Sequence, residues 1–237
     1  MKKMFLPTAI VLTALLIGIF FVHRETSMPA TAPNAADTAA SAPATPVPSA
    51  ASRASVPDTF KDTSILKPPA GAKVAIFEFE DLECPACATA YPIVHAAAAQ
   101  YKIPLVRHDY PWSFHVWSFD AAVTARYLQD NVSTALAEDF RRDVFASQTD
   151  ISSKEDLGRF TTKWFQSHAL TMPFVMDPNG TCKQEVLADL ALGDRVGVRR
   201  TPCILVVTAN SFTQVLNPGQ LAHTIDMALE ETAAQAN

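Results

Sequence analysis

Two cysteines with two residues between them, Cys84-Pro85-Ala86-Cys87, come soon after a short β-prone run, Val74-Ala75-Ile76-Phe77-Glu78-Phe79. That run is bounded by Pro68-Pro69-Ala70-Gly71 before it and by Glu80-Asp81 after it, both of which limit a strand. The cysteines open a stretch that reads as helix to about residue 100, with Pro85 at an early helical position where a missing N–H is harmless. A strand that delivers a Cys-x-x-Cys pair to a helix amino terminus is a redox arrangement, because unpaired N–H groups and the helix dipole stabilise a thiolate there. Cys84 is therefore expected to be the nucleophile. Cys87, one turn further in, is expected to resolve the mixed disulfide. The competing readings are two unrelated buried thiols or half of a zinc site, and zinc needs two more closely spaced ligands. His95, His108 and His115 do not form such a pair, and Cys182 and Cys203 are 21 residues apart. Neither a metal nor a cofactor is expected.

Beyond the cysteines the order of elements is α/β. A second strand is expected at 103–109, then, after the Tyr110-Pro111 break, helices at 116–129, 133–146, 153–167 and about 181–195. Ser152-x-x-Glu155 and Thr181-x-x-Gln184 read as capping boxes, and Pro178-Asn179-Gly180 as a turn before the second of them. A β-branched strand at 204–208, a hairpin partner at 212–216 and a helix at 220–234 close the chain. The sequons Asn131-Val132-Ser133 and Asn179-Gly180-Thr181 fall at helix starts, where Ser133 and Thr181 are expected to cap.

Ahead of this domain, Lys2 and Lys3 precede a nearly unbroken apolar run over 4–22, which ends at His23-Arg24-Glu25. Its length matches the ~20 residues a helix needs to cross a bilayer and exceeds the ~7 to 15 apolar residues of a cleaved signal. Residues 1–25 are thus read as an uncleaved transmembrane anchor with its amino terminus inside. Residues 26–59, rich in Ala, Pro, Ser and Thr, lack the large apolar side chains needed to offset the entropy of ordering and read as a disordered linker. Residues 60–237 form the globular domain. With 49% hydrophobic content the chain has material for a real core, and a net charge of −5 with scattered Lys and Arg excludes a nucleic-acid surface.

Taken together, Glu78-Phe79, Cys84-Pro85-Ala86-Cys87, Pro92 and the distant Thr201-Pro202 resemble the thioredoxin superfamily, and the helices between the second strand and Thr201 resemble its DsbA-like branch. The resemblance covers about 72–234. It implies a thioredoxin fold, a central mixed β-sheet flanked by helices, with a helical insertion at about 115–198. It further implies a cis bond at Thr201-Pro202, where an extended substrate strand is held, a kink at Pro92 rather than a helix end, and a proton-handling role for Glu78 toward Cys87. The alternative for Glu78 is a solvated strand-edge carboxylate. The dipeptide Pro85-Ala86 departs from the proline-histidine of the strongest oxidants in the family, so a thiolate stabiliser is missing. Asp81 and Glu83 are expected to raise the Cys84 pKa further, Arg199 and Arg200 would oppose that if their heads reach the site, and the sign of the net effect stays open. The potential is accordingly expected between the ~−270 mV of thioredoxin and the ~−120 mV of DsbA.

If Pro202 faces the active-site cysteines, strand alternation turns Cys203 away from them. In an oxidising compartment Cys182 and Cys203 would then most simply form a structural disulfide clamping the insertion to the core, worth roughly 3 kcal/mol by the chain-entropy estimate. The alternative is two separate buried thiols. The aromatic run Tyr110, Trp112, Phe114, Trp117 and Phe119 is expected to be mainly interdomain core, and His115 a packed, hydrogen-bonded residue.

The leading expectation is an exported, membrane-tethered thiol-disulfide oxidoreductase, monomeric, acting outside the cytoplasm. It would give disulfides to unfolded or partly folded exported proteins and be reoxidised by a quinone-linked membrane thiol oxidase, as the resemblance implies. Two alternatives stand beside it: a reductant or isomerase kept reduced by a membrane electron donor, and a tethered thiol copper chaperone or redox-sensing module.

Overall fold

All seven residues of strand β1 (Val74–Glu80) are buried, as a strand covered on both faces requires. In the computed structural model, which describes residues 65–235, β1 pairs in parallel with β2 (Leu105–Asp109) and antiparallel with β3 (Cys203–Thr208). β3 in turn pairs antiparallel with β4 (Phe212–Val215), giving a four-stranded mixed sheet of order β2-β1-β3-β4. The expected anchor (1–25) and linker (26–59) lie outside the described residues. Among the described residues no helix is long and apolar enough to cross a membrane.

Alternation along the strands divides the core. Val74 and Ile76 of β1, with Ile204 and Val206 of β3, pack against Ala90 and Val94 of α1 (Pro85–Tyr101) and Leu221 and Ile225 of α6 (Leu221–Ala234). On the other face Phe77, Phe79, Cys203 and Leu205 pack with Tyr110 and with Val196 at the end of α5 (Thr181–Val196). A third cluster belongs to the insertion: Trp117, Phe140, Val144, Trp164 and Phe165, from the entry to α2 (Ser118–Asn131), α3 (Thr134–Ala146) and α4 (Lys154–Ser167), enclose Leu82, Cys84, Cys87 and Tyr91. The insertion therefore walls the Cys84–Cys87 end of α1. Pro92 lies inside α1, which runs unbroken past it, so the helix-end reading of that proline fails.

Two of the expected caps change. The cap of α4 is Ser153, one residue later than expected: its Oγ accepts the Asp156 N–H, while Asp156 Oδ2 accepts from Ser152 and Ser153. At α5 the cap is Gly180 at φ 72, so Thr181 does not cap, and the Asp177 carboxylate takes the Cys182 and Lys183 N–H groups instead. Ser133 caps α3 as expected, accepting from Leu136 N.

Gly193 of α5 is fixed by packing. A Cβ there would stand 2.4 and 2.5 Å from ring atoms of Tyr110 and 3.3 Å from Phe79. The Tyr110 ring cannot swing aside freely because its hydroxyl donates to Asp194 Oδ1 at 2.7 Å. Gly193→Ala is expected to cost about 1–3 kcal/mol of overpacking, more than the ~1 kcal/mol of helix propensity it gains. A lowered urea midpoint is the expected result, and an unchanged or raised one would show that the ring yields.

Candidate active site

Cys84 is the N-cap of α1. Its carbonyl accepts the Ala88 N–H at 3.1 Å, Pro85 occupies the first helical position, and the side chain looks over the open N–H groups of Ala86 and Cys87. The Thr201-Pro202 bond is cis, as expected, and the Thr201 carbonyl accepts the Cys84 thiol at 3.4 Å. Trp112 Nε1 donates to Thr201 Oγ1 at 3.0 Å, which leaves the threonine hydroxyl proton available to the Cys84 sulfur. These donors act on a thiolate. The hydrogen bond with the Cys87 thiol, assisted by Thr201 and the two backbone N–H groups, outweighs burial and brings the Cys84 pKa down to about 5. Cys87 is 1% exposed, and burial, with the Cys84 contact next, pushes its thiol far up. One turn of helix thus holds an acidic thiol that is 8% exposed and a more deeply buried, reluctant one.

The expectation that Asp81 and Glu83 raise the Cys84 pKa is overturned, because both carboxylates are engaged elsewhere. Asp81, 1% exposed, accepts from Glu83 N at 2.8 Å, Trp112 N and His115 Nδ1 at 2.7 Å, and Ser118 Oγ, while its own N–H donates to Cys87 Sγ at 3.4 Å. Glu83 caps α2, accepting from Trp117 N at 2.8 Å and Ser118 N at 3.0 Å. The result is a closed circuit around the sulfurs: Cys87 to Asp81, Asp81 to Trp112, Trp112 to Thr201 and Thr201 to Cys84. His115 is packed and hydrogen-bonded as expected. The aromatic run divides: Tyr110 and Trp117 are core, whereas Trp112 is half-buried and Phe114, stacked on it at 5.7 Å, is 68% exposed beside the site.

Glu78 is fully buried, so the solvated alternative fails. Burial, with the Glu80 carboxylate next, raises its pKa to about 8, and neither of its oxygens accepts a hydrogen bond among the described residues. Glu80, two residues on and on the same face, was not picked out from the sequence. It pairs with Arg107 of β2 at 3.0 Å and Arg141 of α3 at 2.9 Å. Arg141 also binds Asp109 (2.6 Å), Asp109 binds Arg126 (2.6 Å), and Arg126 and His108 reach Asp189 of α5. A signal did exist: Glu78-x-Glu80 and Arg107-x-Asp109 put charges at alternate positions of adjoining strands that otherwise read as buried, with Glu78 opposite Arg107 and Glu80 opposite Asp109.

The expected Cys182–Cys203 bridge is not formed. Both thiols are free and buried. Cys203 pairs across the sheet with Phe79, which touches Gly193, and Cys182 lies eleven residues up α5 from there, about 16 Å at 1.5 Å per residue. A disulfide needs its Cα atoms within about 7 Å. Cys203 does face away from the active-site cysteines, its sulfur accepting from Gln214. Beside the cis-proline, Ala86, Thr89, Arg200, Pro202, Val215 and Leu216 line a cleft of about 480 Å³.

Compared with known proteins, residues 69–227 match the model of a thioredoxin family, and the chain belongs to that family. Its architecture is that of the DsbA-like thiol-disulfide oxidoreductases. It is similar to Wolbachia pipientis alpha-DsbA1 (TM-score 0.58, 12% identity, covering 72% of this chain and 93% of that one). BdbD from Bacillus subtilis in its oxidised form gives a TM-score of 0.55 at 19% identity, over 70% of this chain and 90% of that one. The thiol-disulfide exchange protein alpha-DsbA2 from Wolbachia pipientis gives 0.54 at 15% identity, over 68% and 84%. Among curated proteins no sequence matches significantly.

Proposed function

We propose that this chain is an exported, membrane-tethered oxidoreductase that donates the Cys84–Cys87 disulfide to exported proteins still folding. The observation that carries the direction is the Cys84 environment. Donors that hold its pKa at about 5 stabilise the thiolate, which exists only in the reduced form, and so favour reduction of the enzyme and oxidation of its partner. A substrate thiolate attacks Cys84 Sγ, the Cys84–Cys87 bond breaks, and Cys87 leaves with the electron pair. A second substrate thiolate then attacks the mixed disulfide, so the substrate gains a disulfide and Cys84 leaves as its stabilised thiolate. The cleft beside Pro202 and the Thr201 backbone suit an extended, apolar segment flanking the substrate cysteine. The apolar run at 4–22 supports the tether and the extracytoplasmic side. Reoxidation falls to a quinone-linked membrane thiol oxidase, by analogy with the family.

The test is the reduction potential of the full chain in detergent, equilibrated against glutathione and read by alkylation and mass. A value above about −180 mV supports donation, and one near −270 mV makes the chain a reductant served by a membrane electron donor. Alkylation of the oxidised, denatured protein is expected to label two thiols, Cys182 and Cys203.

A further inference from the structure

Glu78 and Glu80 point to the same face of β1, about 7 Å apart at the strand rise of ~3.3 Å per residue. Glu80 is the nearer to the strand end from which the cysteine loop departs. The two carboxyls differ in their partners: Glu80 touches Arg107 and Arg141, while Glu78 accepts nothing, and Glu80 Oε2 is likewise unpartnered. Resting on the reading of Cys84 and Cys87 as the exchanging pair and on the proton-handling role that the family resemblance implies for Glu78, we propose that Glu80, clamped between Arg107 and Arg141, is a positioning residue that sets how readily the Glu78 carboxyl passes its proton to Cys87. Burial raises the Glu80 pKa too, with Arg107 and Arg141 opposing it, and the carboxyls act as a pair in which these two guanidiniums hold the negative charge on Glu80 while the proton resides on Glu78.

The groups around this pair are Arg107 on β2, Arg141 and Glu138 on α3, Asp109 beyond Arg141, Cys203 on β3 and Cys87 on α1. His95 of α1 adjoins Arg107 and Glu138. Burial and then Glu80 raise the Glu78 pKa, Arg107 opposes them, and Glu80 also bears on Cys87. When a substrate thiolate breaks the Cys84–Cys87 bond, the departing Cys87 sulfur takes the Glu78 proton, the substrate sulfur is oxidised, and water reprotonates the carboxylate. Because Arg141 comes from the insertion, this arrangement makes the proton step depend on how α3 is seated.

The test is the pH dependence of the rate at which glutathione reduces the full-length disulfide in detergent. The unmutated protein should show a break near pH 8, where Glu78 loses its proton. Glu78→Gln should abolish that break, Glu80→Gln should move it down by about one pH unit or more, and Arg107→Gln should move it up. A structural role alone would lower stability and leave the break in place, so an unmoved break in folded Glu80→Gln overturns the proposal. Should that variant not fold, carbon-13 NMR of glutamate carboxyls in the unmutated chain decides: the Glu80 signal must follow the Glu78 transition, and independence of the two overturns the pairing. A chain inert to glutathione would defeat the exchange reading, while the NMR titration would still judge the pair.

Discussion

Replacing Arg141 by alanine is expected to cost about 3–5 kcal/mol, because it leaves Glu80 with Arg107 alone and Asp109 with Arg126 alone to offset carboxylates buried inside the protein. Arg141 is 2% exposed and both its partners are about 1% exposed, so water cannot take its place. Burial works against Asp109, yet Arg141 and Arg126 hold its pKa at about 2, and their loss reverses that balance. Set against a typical total of ~5–15 kcal/mol, the change removes much of the margin. Urea unfolding of the reduced and oxidised forms measures it. A loss below about 1 kcal/mol would mean that the network is hydrated and that α3 sits on the sheet by apolar contact alone.

The largest effect on chemistry is expected at Cys84. Cys84→Ser should reduce exchange to the uncatalysed background, whereas Cys87→Ser should halt at mixed disulfides that remain visible by mass. In the reduced protein, alkylation of Cys84 should follow a pH profile centred at about 5. At pH 6.5 that is roughly 100-fold more thiolate than an ordinary cysteine of pKa ~8.5 carries. The folded pKa lies below the unfolded one, so the thiolate contributes stability fully above pH ~8.5 and loses that contribution as pH falls through 5. The oxidised form has no such proton. The melting temperature of the reduced form relative to the oxidised form should therefore rise between pH 5 and 8.5. A profile centred near 8.5 would remove the basis for disulfide donation.

How much of this was legible in the sequence depended on the range of the interaction involved. The strand into Cys84-Pro85-Ala86-Cys87 and the helix after it could be read from local pattern, whereas the place of Thr201-Pro202 beside the sulfurs came from the resemblance to the thioredoxin superfamily. Backbone preference, period-two burial and a helix amino terminus are local physics, and the redox chemistry follows from them. Element ends slipped by one or two residues because caps compete: Asp156 and Asp177 took roles that Glu155 and Thr181 could equally have filled. The direction in which a side chain points across the fold was not legible. Asp81 and Glu83 look like charges beside Cys84, and only the arrival of Trp112, His115 and α2 turns them away from it. Cys182 and Cys203 could be counted, but the length of α5 keeps them apart. Spacing along the chain indicates which groups exist and which elements they ride on. Whether two carboxylates on one strand are solvated, paired or poised to move a proton was decided by tertiary structure, because it depends on which arginines the sheet and the insertion bring to them and on the exclusion of water around all four.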